Sequence, residues 1–93
     1  MINPANVSGI GAFSEKAEKA RTLYYKDERV FLVVNKNTIE LRTDAELRRH
    51  LTAEYESVMD SRYFGKGGIE IVLAGQLSDG ELADLIRLSY NLS

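Results

Sequence analysis

The sequence predicts an α+β domain in the order α-β-β-α-β-β-α, with an antiparallel sheet of two hairpins and helices packed on one face. Three observations predict it. Residues 30–34 and 38–42 have the composition of two strands joined by a short turn. Residues 57–64 and 69–74 have the pattern of a second hairpin around a glycine-rich stretch. After each hairpin, capping residues precede apolar residues at helical spacing.

The N-terminal region divides into an irregular part and a predicted helix. Residues 1–13 contain the only proline, two glycines, two asparagines and a serine, which indicates a flexible lead-in or an irregular segment laid over the core. Four residues of the region fall close to one helical face: Phe13, Ala17, Ala20 and Tyr24. We therefore predict the first helix over residues 14–25.

The first hairpin carries the clearest strand signal. Residues 30–34 are rich in β-branched and aromatic side chains. Residues 38–42 alternate, which places Glu40 and Arg42 on the face opposite the apolar side chains. The asparagines of residues 35–37 tolerate the backbone of a tight turn.

The middle helix is predicted from its start signal and its apolar stripe. Thr43 and Glu46 have the spacing of a capping box, in which each side chain bonds the other's backbone amide. Leu47, Leu51 and Tyr55 lie one helical turn apart. They would bury this helix against the sheet.

The second hairpin is predicted to reverse at residues 65–68, which contain three glycines. In the strand that follows, Glu70 and Val72 share the face opposite the apolar residues. Tyr63 and Phe64 precede the glycines, and neighbours on a strand point to opposite faces. One of these two rings is therefore expected in the core and the other on the second sheet face. That second face is either solvated or the binding surface.

The last helix repeats the capping signature with Ser78 and Glu81. Its apolar face consists of four residues: Leu82, Leu85, Ile86 and Tyr90. A helix over this segment completes a single domain of residues 1–93.

Composition bounds the functional classes. The net charge of −2 divides into seven basic and five acidic residues over 1–43, against five basic and nine acidic over 44–93. Without cysteine the chain can form no disulfide or thiolate zinc site. Its apolar runs are far shorter than the ~20 residues of a membrane span. We expect a soluble, cytoplasmic domain without a cofactor.

Three segments together resemble the MmcQ/YjbR family of small bacterial proteins: TDAELRRHLTAEYESV, SRYFGKGGIEIVLAG and QLSDGELADLIRLSYNLS. The last is the closest match, with Ser78, Asp79, Glu81, Leu82, Ser89, Tyr90 and Leu92 at the positions typical of the family. The resemblance covers about residues 28–93. It departs where the family has a tryptophan after the lysine turn, since Ile69 or a neighbour stands there, and in lacking the family's usual N-terminal helix.

The resemblance implies a CyaY-like fold, similar to the double-wing DNA-binding domain of a phage transcription factor, and a possible role in DNA binding. Lys and Arg contact phosphate without reading sequence. Five candidates for such contacts stand in the matched region: Arg42, Arg48, Arg49, Arg62 and Lys66. An exposed aromatic residue beside Arg62 and Lys66 could also stack on bases.

Other functions compete with this expectation. A protein-binding or self-associating domain would use the second sheet face. Because the net charge is acidic, this function ranks only just behind nucleic-acid binding. Enzymatic roles rank third, because His50 is the only histidine and the GKGG around Lys66 lacks the Ser/Thr and helix of a phosphate loop. The carboxylates of residues 79–84 suit the start of a helix. The remaining alternative for the acidic residues is an iron-binding surface like that of frataxin.

Overall fold

The computed structural model describes residues 3–93 and confirms the α+β class. The elements are β1 (Ser14–Ala17), β2 (Thr22–Lys26), β3 (Arg29–Val34), β4 (Thr38–Arg42), α1 (Ala45–Glu54), β5 (Val58–Ser61), β6 (Gly65–Val72) and α2 (Asp79–Leu92), with a 3-10 turn at Pro4–Asn6. Within residues 3–93, neither helix has the length and apolarity to cross a membrane.

The strands form one six-stranded antiparallel sheet in the order β1-β2-β3-β4-β6-β5. Helix α1 packs on β5 and β6, and α2 packs on β3 and β4. Both helices lie on the same side, as predicted. We call this side the helix-covered face and the other side the open face.

The predicted first helix is wrong, because residues 14–25 form the β1–β2 hairpin. Alternation along β2 sends Leu23 to the open face, where it is buried beside Val33, and Tyr24 to the helix-covered face. Tyr24 packs there against Phe13, with ring centroids 5.8 Å apart. On the predicted helix face, two of the four core-facing residues were only alanines. Pairing with β3 buries larger side chains and satisfies the backbone, so tertiary packing overrides the helical spacing.

The core lies between the sheet and the helices. Its sheet side is formed by residues such as Phe31, Leu41, Ile69 and Ile71, all fully buried. A bulge between Tyr24 and Tyr25 turns two successive residues of β3, Phe31 and Leu32, toward this core.

Ser89 fastens α2 to the sheet where β3 and β4 stop pairing. Its hydroxyl donates to the Phe31 carbonyl (2.6 Å) and accepts from the Arg42 amide (2.7 Å). It therefore stands between two backbone groups just beyond the last paired residues, Leu32 and Leu41. The neighbouring Tyr90 ring meets Phe31 edge-on, with centroids 5.0 Å apart. The Ser-Tyr pair of the last segment thus has a structural role.

The two helix starts differ. The Ser78–Glu81 capping box of α2 is confirmed, with both reciprocal bonds present. The predicted Thr43–Glu46 box is wrong, because Asp44 caps α1 by accepting the Leu47 amide at 2.7 Å. The Thr43 amide donates to the Gly67 carbonyl (3.0 Å) and so remains part of the sheet. It is therefore not free to receive the Glu46 carboxylate.

The second hairpin reverses at residues 62–64, not at the glycines as predicted. The glycines belong to β6 itself. A Cβ on Gly68 would lie 2.4 Å from the Leu41 carbonyl oxygen and 2.8 Å from Cβ of Phe64. Gly68 is therefore needed for the close approach of β4 and of the turn, a role that sequence alone does not separate from chain reversal.

Residues 3–13 take an irregular path across α2. Arg87 donates to the Ser8 carbonyl (2.6 Å), and the Tyr90 hydroxyl donates to the Ala12 carbonyl (2.9 Å). Val7, Ile10 and Phe13 pack against the main core. This segment therefore closes the main core beside α2.

Candidate nucleic-acid interface

The open face is partly covered by its own chain. The β5–β6 turn, residues 62–64, folds back over the sheet instead of extending beyond it. Phe64 packs on the small open-face cluster of Leu23, Val30 and Val33. The second sheet face is therefore neither a bare solvated surface nor a continuous apolar one.

Glu40 holds this turn in place. Its side chain points to the open face, yet the residue is only 2% exposed. One carboxylate oxygen accepts from the Ser61 hydroxyl and the Tyr63 amide, both at 2.8 Å. The other carboxylate oxygen accepts from the side-chain amide (Nδ2) of Asn35 at 2.9 Å. Among residues 3–93, Glu40 forms no ion pair, so neutral donors carry this buried charge.

Glu70 lies directly opposite Glu40 in the β4–β6 pairing and holds the other side of the turn. Arg62 donates to both of its oxygens, through Nε at 2.9 Å and Nη2 at 2.8 Å. Thr38 donates to Glu70 at 2.7 Å and accepts from Asn35 at 3.0 Å. Asn35 and Thr38 thus link the two carboxylates, and we call Glu40 and Glu70 with these donors the carboxylate centre.

The surroundings of Glu40 favour its ionised form. Burial is the largest single influence and raises its pKa. The hydrogen bonds from Asn35, the Tyr63 amide and Ser61, with the nearby charge of Arg62, outweigh burial and leave the pKa of Glu40 below its ordinary value. Glu40 is therefore an anion at neutral pH that fixes the turn, not a carboxyl poised to exchange protons.

Four planar side chains form a row across the open face. The Arg21 guanidinium lies 5.2 Å from the centre of the Tyr63 ring, and Tyr63 meets Phe64 edge-on with centroids 4.9 Å apart. The Arg42 guanidinium lies 4.9 Å from the centre of the Phe64 ring. We call Arg21, Tyr63, Phe64 and Arg42 the guanidinium–aromatic row.

The two arginines at the ends of the row differ in electrostatics. Arg21 pairs with Glu18 at 2.8 Å. Half-buried Arg42 donates from Nε to the Val30 carbonyl at 2.7 Å, but it forms no ion pair with any carboxylate of residues 3–93. Burial, followed by the like charge of Arg29, lowers the pKa of Arg42. Arg42 stays protonated at pH 7 because guanidinium groups lose their proton only far above it.

A pocket of about 560 Å³ opens beside the row, between the β3–β4 turn and residues 20–21. Arg21, Lys36 and Arg62 line it together with Glu40 and Asn35. Since Glu40 is buried, the groups that this pocket presents to solvent are mainly cationic and amide.

The five predicted contact residues do not form one patch. Arg42 and Arg62 lie on the open face, whereas exposed Lys66 lies beside the β5–β6 turn, where the pairing of β6 with β5 shifts register. Arg48 and Arg49 lie on α1, across the sheet. Arg48 pairs with Asp60 at 2.9 Å, whereas Arg49 is exposed. The prediction of these residues as contacts stays a prediction, and the structure places Arg42 and Arg62 on one face and the two α1 arginines on the other.

Charge is unequal between the two sides. The helices α1 and α2 carry five carboxylates (Glu46, Glu54, Asp79, Glu81, Asp84) against three basic residues (Arg48, Arg49, Arg87). On the open face, Glu40 and Glu70 are only 2% and 4% exposed, so the charge that reaches solvent there is mainly basic. The net charge of −2 hides this difference.

Sequence reasoning found part of this site. It identified Arg42, Arg62 and Lys66, and it predicted that one of the two aromatic residues 63 and 64 is exposed. Tyr63 is the exposed one, at 39%. Phe64 packs over the open face beside it and not in the main core, because both residues lie in the turn. Arg21 was missed, since it was assigned to a helix and no local signal links it to Tyr63.

The described residues contain no group of three His, Cys, Asp or Glu side chains placed to hold a metal ion. Comparison with protein-family models, with curated proteins and with solved structures returned no match. The resemblance to the MmcQ/YjbR family therefore stays a prediction.

Proposed function

We propose that this protein is a non-enzymatic, cytoplasmic binding module for nucleic acid, with the open face as its contact surface. The guanidinium–aromatic row is the observation that carries the proposal. Aromatic rings and arginine planes are the groups on which bases stack, and arginine also pairs with phosphate. The resemblance to the MmcQ/YjbR family points to the same ligand class and makes DNA the first candidate.

Arg42 is the residue on which phosphate binding depends most. Its guanidinium has no carboxylate partner within residues 3–93, and Arg29 adds a second positive charge nearby. A phosphate placed there would relieve the like-charge repulsion and accept from the unused N–H groups of Arg42. Exposed Lys66, on β6 beside the β5–β6 turn, adds a further cation nearby.

A protein-binding function is less well supported by the surface. The exposed large apolar residues of the described chain are Met59, Tyr63, Leu88 and Leu92. Met59 and Tyr63 lie on the open-face side, whereas Leu88 and Leu92 lie on α2. They therefore form no single apolar patch of the kind that protein interfaces use.

Fluorescence anisotropy of a labelled 20-nucleotide DNA, measured at several salt concentrations, tests the proposal. With three to four phosphate contacts we expect log K to fall with log salt at a slope of about −2 to −4. Arg29→Ala should weaken binding several-fold. Arg49→Ala is the matched control, because Arg49 is exposed, forms no ion pair within residues 3–93 and lies on the other side of the sheet. Equal losses in both variants, or salt-independent binding, would contradict the open-face assignment.

A further inference from the structure

We infer that the open face takes single-stranded rather than double-stranded nucleic acid, with one unpaired base stacked on Tyr63 at the mouth of the adjoining pocket. This inference rests on the proposed function and names its ligand class. It follows from the position of Tyr63, the shape of the face around it and the groups that line the pocket.

Tyr63 is held in place before any ligand arrives. Its amide donates to Glu40 (2.8 Å), the Phe64 amide donates to Ser61 (2.8 Å), and Arg62 is clamped on Glu70. Phe64 packs against Tyr63 with the two ring planes 79° apart, and the Arg21 guanidinium lies over one face of the Tyr63 ring. With 39% of Tyr63 still exposed, the ring is a fixed platform, and little side-chain freedom is lost on stacking.

The pocket lined by Arg21, which contacts the Tyr63 ring, and by Arg62, which precedes Tyr63, has the size and chemistry for a nucleotide. Its volume of about 560 Å³ lies within the usual range for small-ligand sites. Exposed Lys36 and the Arg62 guanidinium lie at its wall and suit the phosphates on either side of a bound base. Asn35 donates to Thr38 and Glu40, which leaves its carbonyl oxygen as an acceptor for a base edge.

A duplex cannot use these features. Its bases present their edges in the grooves and keep their faces stacked, so none can lie on Tyr63. Groove reading also needs a projecting helix or ribbon, but both helices lie on the other side of the sheet and the β5–β6 turn is folded flat onto it. Single strands expose the base faces that aromatic and arginine planes bind.

The test compares one labelled 10-nucleotide sequence as a single strand and as a blunt duplex, against the full chain at low salt. We expect the single strand to bind at least tenfold more tightly. Tyr63→Leu should weaken single-strand binding roughly tenfold and change duplex binding less than about twofold. Tyr63→Phe keeps the ring and should bind like the native protein. Circular dichroism of both variants establishes that they are folded.

The outcomes separate the two proposals. Duplex binding as tight as single-strand binding, or single-strand binding that Tyr63→Leu leaves unchanged, would overturn the single-strand inference while the proposed function stands. Absence of binding of either form at millimolar concentration would overturn the proposed function and the inference with it.

Discussion

The carboxylate centre and the Arg42 end of the row lie on the same sheet face, yet they treat buried charge in opposite ways. At the centre, Glu40 and Glu70 are surrounded by hydrogen-bond donors, and Arg62 neutralises one of them. At the Arg42 end of the row, the half-buried Arg42 has the like charge of Arg29 nearby and no carboxylate partner within residues 3–93. Satisfied charges fix a structure, whereas a charge left without a counter-ion is available to a ligand.

This difference separates stability from binding. Variants at the carboxylate centre should destabilise the fold, because buried donors lose their acceptor. Variants of exposed cations such as Arg29 should leave stability almost unchanged and reduce affinity for an anion.

The largest expected effect is that of Glu40→Ala. The change leaves three donors without their acceptor: the Ser61 hydroxyl, the Tyr63 backbone amide and the Asn35 side-chain amide. We expect a loss of roughly 3 kcal/mol in the free energy of unfolding, measured by urea denaturation. Glu40→Gln keeps one acceptor oxygen and should cost less. A loss below about 0.5 kcal/mol in Glu40→Ala would show that Glu40 does not hold the turn.

Gly68→Ala tests the packing of the turn on the sheet. The new Cβ would lie 2.4 Å from the Leu41 carbonyl oxygen and 2.8 Å from Cβ of Phe64, so β4 or the turn must move. We expect a destabilisation of about 2 kcal/mol by the same measurement. Gly67→Ala is the matched control, because its Cβ meets only the Phe64 carbonyl oxygen at 3.4 Å. Similar effects in both variants would contradict the close approach at Gly68.

Stability should fall in acid through Glu40. Its pKa is lower in the folded protein than in the unfolded chain, where it is about 4.3. Its contribution is therefore fully present above the unfolded pKa, and it is lost as the pH falls through the lower folded pKa. Urea denaturation between pH 7 and pH 3 should show a shallower acid decline for Glu40→Gln than for the native protein.

Glu18→Gln is the control for this pH dependence. The hydrogen bond from Arg21 also lowers the pKa of Glu18, but that pair lies at the surface, where solvent screens it. The variant should keep nearly the native acid decline. If Glu18→Gln and Glu40→Gln reduced the acid decline in the free energy of unfolding equally, the pH dependence would not come from the carboxylate centre.

The smallest expected stability effect is that of Arg29→Ala. Arg29 is exposed, forms no ion pair with residues 3–93 and lowers the pKa of Arg42 by its like charge. Its removal should change the free energy of unfolding by no more than about 0.5 kcal/mol. A loss as large as that of Glu40→Ala would remove the distinction between the two regions.

Much of the fold was predictable because its patterns are local. The alternation of residues 38–42 and the Ser78–Glu81 cap each depend on neighbours within a few positions. Residues 14–25 were not predictable in this way, since their alanines fit a helix and only pairing with β3 selects the strand. The turn at residues 62–64 was misplaced because Gly68 serves a contact with β4 that spacing does not reveal.

The site was predictable in chemistry but not in assembly. Arg42, Arg62 and the aromatic pair can be singled out as residue types that bind nucleic acid. Their arrangement depends on the turn folding back onto Glu40, which brings Tyr63 to Arg21 of the β1–β2 connection on the same open face. Such a contact between distant parts of the chain has no local sequence signal.

The most direct measurement of the central claim is an amide-shift titration of ¹⁵N-labelled protein with a short single-stranded DNA at low and high salt. We expect salt-sensitive shifts at Arg21, Arg42 and residues 62–66, with α1 and its Arg49 little changed. Shifts centred on α1, or none at millimolar DNA, would contradict the assignment of the open face as a nucleic-acid interface.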